Sequence, residues 1–165
     1  SFGKVVTHEG GGHGFGRLLD EYRYNNESLP VERQNLVNSW RGSDPYFGYN
    51  ISLTGDRELV HWKHYFDIAG YEAVGMYEGA YLYYMGAWRP EYISCMEDNR
   101  PYYNAPSREA IVRRIMKASG STFDFDDFLA KDARALSSGA VMAAQAPAVP
   151  YDFVPLAPPV LIDNR

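Results

Sequence analysis

His8-Glu9-Gly10-Gly11-Gly12-His13-Gly14-Phe15-Gly16-Arg17-Leu18-Leu19-Asp20-Glu21-Tyr22 places two histidines around a glutamate and follows them with two acids. Neutral imidazoles are the commonest zinc ligands, and a nearby glutamate can take a proton from a metal-activated water. In the usual zinc-peptidase motif the histidines are four apart, about 40° around a helix, so both face one ion. Here they are five apart, which on a regular α-helix is about 140° and points them to different sides. One extra residue in the turn, a π-bulge, returns them to a common face, and such bulges collect at functional sites. Each intervening glycine costs about 1 kcal/mol relative to Ala in a helix interior. Three in a row suit a backbone that must distort or be approached closely. A phosphate cradle does not fit, because neither Gly-x-Gly-x-x-Gly nor a following Gly-Lys-Ser/Thr occurs in the segment. The expectation is a distorted helix over His8 to Leu19.

The rest of the chain bounds the setting. Its 165 residues, 45% hydrophobic and 22% charged, suit one globular domain. A net charge of −5 without a Lys/Arg cluster argues against nucleic acid and anionic membrane surfaces as partners. No run of about 18 apolar residues occurs, so no transmembrane segment is expected. Cys95 is the lone cysteine, which excludes an intrachain disulfide and a Cys-rich zinc module. The 14 tyrosines fit either a core rim or a polymer- or peptide-binding cleft. The chain starts at Ser1 with its chemical motif only seven residues on; a processed piece or fragment of a longer protein is expected.

Outward from the motif, Phe2 to Val6 reads as a short strand or a helical lead-in. Val31 to Trp40 reads as a helix behind Pro30, with Leu36, Val37 and Trp40 on one side, and Arg41 to Pro45 as a turn. Asp56 to Phe66 is a further expected helix. The Gly-punctuated aromatic stretch 71–89 fits helix or hairpin. Ser107 to Ser119 predicts a helix with Ser107 as N-cap and Gly120 closing it. Asp124 to Leu136 predicts another, acidic at its start and basic later. From Gly139 the composition turns Ala/Pro-rich. The division is therefore 1–138 as a folded domain and 139–165 as an extended tail or linker.

His8 to Tyr22 resembles the active-site helix of the IgA-peptidase (igalysin-type) family of metzincin zinc metallopeptidases, whose pattern is similar to His-Glu-x-x-(x)-His, a Gly-containing step and Leu-x-Asp-Glu-Tyr. Val74-Gly75-Met76-Tyr77-Glu78-Gly79-Ala80, continuing through Tyr83-Tyr84 to Trp88-Arg89-Pro90 and Ser94-Cys95-Met96, is similar to the family's Tyr-Glu-Gly, Tyr-Arg-Pro and Cys-Met run. Pro106 to Ile111 looks like its Arg-Glu-Ala-Ile helix. The likeness covers residues 5 to about 118. It implies an α+β, metzincin-like fold, mostly the helical C-terminal subdomain, with the N-terminal sheet largely missing from this chain. It also implies a zinc-dependent endopeptidase with a protein or peptide substrate, secreted or in the cell envelope, and Met96 as the methionine turn beneath the metal. The missing N-terminal part of the same protein is a candidate partner.

One departure concerns the third ligand. The metzincin pattern puts it six after the second histidine, where this chain has Leu19. Asp20 is the first choice, since carboxylate oxygen can bind zinc; Glu21 is the second, and Glu78 or Glu72 the third. The expected site is thus His8, His13 and Asp20 on Zn2+ with Glu9 as general base, and Tyr102 or Tyr103 as candidates for substrate or oxyanion contact. The rival reading is a non-catalytic glycan- or protein-binding module with a degenerate or structural zinc site. His61 and His64, three apart, read as structural or surface histidines; Asp124, Asp126 and Asp127 as helix N-terminal acids; Cys95 as a buried thiol.

Overall fold

A computed structural model describes residues 2–100 and 102–132 of the protein. The expected tail at 139–165 and residues 133–136 of the last expected helix lie outside the described residues; that helix ends at Lys131, where Asp132 turns extended as its C-cap.

Phe2–Val6 forms a short helix, α1, that runs straight into a π-helix over Thr7–Gly16. The lead-in is thus helical, and the π geometry persists over ten residues, longer than the single bulge the histidine spacing predicts. Arg17 stops it in the left-handed region (φ 50°), its N–H donating to Gly12 O. The glycines are needed where the neighbours close in. A Cβ on Gly12 would overlap Met96 Sδ, and one on Gly11 would lie 2.6 Å from the Tyr103 hydroxyl.

Behind this segment come β1 (Arg23–Ser28) and α2 (Val31–Ser43). After a long loop follow β2 (Tyr77–Ala80), β3 (Leu82–Arg89), α3 (Cys95–Asp98), α4 (Ala105–Ala118) and α5 (Phe125–Lys131). The strands make one sheet in the order β1-β3-β2, with β1 parallel and β2 antiparallel to β3. The architecture is α+β. The aromatic stretch 71–89 resolves as the β2–β3 hairpin, which bends on Gly79 at φ 100°. Its corner is strained: Tyr81 and Leu82 both have positive φ (50° and 75°), a conformation costing a non-glycine residue about 1–3 kcal/mol. Tyr81 N–H donates to Asp20 O (2.8 Å) and Leu82 N–H to Tyr22 O (3.0 Å). The corner therefore clamps the backbone that carries Asp20.

Three apolar clusters hold these parts. One lies between α2 and the sheet around Val37, Ile51, Leu82 and Ala87, and takes in Leu19 and Tyr22. A second joins Trp62, Tyr65 and Tyr71 to α4 and α5. A third, Leu18, Tyr49, Met96 and Ala110, lies between the π-helix and α4.

Several element boundaries differ from the sequence expectation. Asp56 to Phe66 is not a helix but a run of turns with one 3-10 turn at Lys63–Tyr65. There Asp56 Oδ1 accepts from Glu58 N–H (2.8 Å), a turn bond that competes with helix, while Trp62 and Tyr65 are drawn fully into the core. The expected turn after Trp40 begins later, because α2 absorbs Arg41 to Ser43. The N-cap of α4 is Asn104, whose Oδ1 accepts from Ser107 N–H (3.0 Å); Ser107 lies inside the helix. Asp124 caps α5 through Asp127 N–H (2.8 Å), in keeping with the helix-start reading of those acids. Among the described residues no helix is long and apolar enough to cross a membrane.

Candidate metal centre

The π-helix, the loop after it and α3 meet at three side chains. His8 Nε2 lies 3.2 Å and His13 Nε2 3.1 Å from the same atom, Asp20 Oδ1. One ligand atom from each residue falls within 4.8 Å of the others. The imidazoles meet edge to face, with centroids 4.9 Å apart. His8 and Asp20 are buried, and His13 is partly open to solvent.

The far side of each ring fixes what the near side presents. His8 Nδ1 is 2.8 Å from Cys95 O, and His13 Nδ1 is 2.8 Å from Leu18 O. A carbonyl oxygen carries no proton, so both Nδ1 atoms must donate. Each neutral ring then turns the lone pair of Nε2 toward Asp20. Three acceptors facing one another repel unless a cation, either protons on the rings or a metal ion, sits among them. Orientation of a histidine by a hydrogen bond from its other nitrogen is the usual support for a metal ligand. This donor set could hold a metal ion.

The electrostatics describe the first of those cations, protons on the rings in the absence of a metal ion. Burial works to raise the Asp20 pKa, yet hydrogen bonds from His13 and His8 and their charge hold its carboxyl below the usual carboxylate range. Burial works to lower the His13 pKa, and the Asp20 contact outweighs it, so His13 is raised. The Tyr22 hydroxyl bonds to Asp20, and its pKa is driven up, first by burial and then by that carboxylate.

Glu21, the second choice for the third ligand, points away. It is fully buried and accepts from Asn50 Nδ2 (2.7 Å), Asn104 Nδ2 (2.7 Å) and the Ser94 hydroxyl (2.7 Å). Burial raises its pKa to about 7 despite those donors. It ties the loop at Asn50, the start of α3 and the cap of α4 to the residue next to Asp20. Its backbone N–H also donates to Met96 O (2.8 Å). Glu78 accepts from Gly86 N–H (3.1 Å) and Glu72 from Gly70 N–H (2.8 Å), both exposed and outside this cluster.

Met96 is fully buried against Gly12. Glu9 is exposed on the π-helix, near enough for its charge to act on His13 and Tyr22. The Tyr102 hydroxyl donates to Glu91 Oε2 (2.7 Å), and that of Tyr103 donates to Thr7 O on the π-helix, beside His8. Cys95 is buried, and burial pushes its thiol pKa up to about 11, which leaves it inert as a nucleophile. His61 stacks on Tyr49, and His64 pairs with Glu109 (2.8 Å). The sequence motif contains His8, His13 and Asp20. It does not reveal the carbonyls of Leu18 and Cys95, or the Asn50–Asn104–Ser94 cradle, since backbone acceptors and isolated asparagines carry no sequence signature.

Fold and donor set together define a small α+β protein with a buried His-His-Asp group able to hold a metal ion. No protein-family model matches the chain, and no curated protein matches it.

Proposed function

We propose that the chain carries the metal centre of a zinc-dependent endopeptidase of metzincin type, as its resemblance to the igalysin-type family implies. The observation that supports this most is the pair of Nε2 lone pairs fixed toward Asp20 Oδ1 by two backbone carbonyls. Two ligands of a tetrahedral zinc, each about 2.0–2.1 Å from it, lie about 3.3 Å apart, close to the 3.1 and 3.2 Å separations here. His8, His13 and Asp20 would hold the ion. When bound, zinc supplies the Lewis acidity that acidifies a water and polarises a peptide carbonyl. Glu9, next to His8 and open to solvent, would serve as the general base that takes a water's proton and returns it to the leaving amine. Met96 supports the π-helix from below, as a methionine turn would. The substrate is a polypeptide, and the setting is secreted or the cell envelope.

Elemental analysis of the purified protein is expected to give about one zinc per chain. Glu9→Ala is expected to retain that zinc while cleavage of a denatured protein falls by about 10²–10⁴-fold, the usual worth of a general base. Protein without metal, or a Glu9→Ala variant that cleaves as fast as the parent, would overturn the reading.

A further inference from the structure

Beside the end of the π-helix the surface folds into a cleft of about 450 Å³ whose charged walls are Arg17, Arg113, Arg114, Lys117 and a single acid, Asp44. Four basic groups around one cleft run against the chain's net charge of −5. Two of them are held in place. Arg113 donates through Nε to Glu109 Oε1 (2.8 Å), and its guanidinium lies 3.7 Å from the Phe123 ring centroid and 4.8 Å from that of Tyr46. Arg114 donates through Nε to Gly16 O (3.0 Å) and through Nη2 to Asp44 (2.6 Å). Asp44 thus answers Arg114, and Glu109 answers Arg113. Among the described residues Arg17 and Lys117, both exposed, make no ion pair within 4.0 Å, although the Arg17 charge also acts on Asp44. Planar guanidiniums fixed by stacking and hydrogen bonds are well suited to bind several oxygens at once, and mobile cations at the rim add charge.

We propose that this cleft binds a phosphate ester. The oxyanion sits among Arg113, Arg114, Arg17 and Lys117, and the organic part rests on Tyr46 and Phe123. The volume lies within the range of small-molecule sites, and two aromatic walls beside the cations favour an ester over the bare anion.

Calorimetric titration tests this, using chelator-treated protein so that an ion at the histidines cannot capture the anion. The probes are phenyl phosphate and inorganic phosphate at constant ionic strength. The expected result is saturable binding near one per chain, with phenyl phosphate about tenfold tighter than inorganic phosphate. Arg17→Ala combined with Lys117→Ala is expected to weaken both about tenfold or more. Lys117→Glu alone provides a second variant at an exposed position, expected to weaken both in the same direction. No saturable binding up to about 10 mM ester, or affinity unchanged in these variants, would overturn the proposal. Loss of zinc binding would leave this test unaffected, so the two readings fail separately.

Discussion

The molecule holds two pairs of histidines, and the pair with the less promising spacing is the one that converges. His61 and His64, three apart, match a helical metal pair on paper. They lie instead in a run of turns, one ring stacked on Tyr49 and the other paired with Glu109. His8 and His13, five apart, share one carboxylate oxygen because a π-helix carries them. Spacing has chemical meaning only once the local backbone is known, and here Gly11 and Gly12 let Tyr103 and Met96 close in on that backbone. The second difference is on the far side of the rings. His8 and His13 each spend Nδ1 on a main-chain carbonyl, so both Nε2 atoms are aimed. His61 has a buried Nε2 without a partner.

Removing one member of the first pair is the harshest way to break this contrast. His8→Ala, His13→Ala or Asp20→Ala is expected to weaken zinc affinity by more than about 100-fold, beyond the 10–100-fold typical of outer partners. His61→Ala and His64→Ala should leave metal content unchanged. Competitive titration with a chromogenic chelator reads both.

Glu21→Ala comes next. It orphans three buried donors on Asn50, Asn104 and Ser94. Each unpaired group costs about 1–3 kcal/mol, so urea denaturation of the metal-free protein should show a loss of about 3–5 kcal/mol. Gly12→Ala is expected to cost less, about 1–3 kcal/mol from overpacking against Met96, and to loosen metal binding as the π-helix shifts. Gly10→Ala, with open space around its Cβ, should do neither.

The pH dependence has a sign that sharpens the comparison. Burial lowers the His61 pKa to about 4 from an ordinary 6.5. The unfolded chain binds the proton first as pH falls. Stability from this group is therefore present above pH 6.5 and is lost toward pH 4, by at most about 1.4 kcal/mol per pH unit. His13 in the metal-free protein runs the other way. Its folded pKa is raised, so its contribution is full below pH 6.5 and lost as pH rises through the folded value. Urea midpoints across pH 4 to 8 for the parent, His61→Phe and His13→Phe should show the slopes change in opposite directions.

The helices α2, α4 and α5 were legible because amphipathic spacing and nearby cap or proline signals agree. Strand β1, Arg-Tyr-Asn-Asn-Glu-Ser, was not: it is polar and mostly exposed, and only pairing with β3 makes it a strand. The hairpin was ambiguous because glycines and tyrosines dominate 71–89 and satisfy both periodicities. The 56–66 region misled because Trp62 and Tyr65 bury through packing that no local pattern encodes. At the site, the motif named the side chains that meet. The features that aim them are main-chain carbonyls and a strained corner at Tyr81–Leu82, which depend on chain crossings.

The bond from His8 to the Cys95 carbonyl spans 87 positions. A growing polypeptide cannot aim that imidazole until α3 has emerged and docked. An ion captured by that aimed imidazole would therefore arrive late, as a seal placed on a finished tertiary structure rather than a seed around which it condenses.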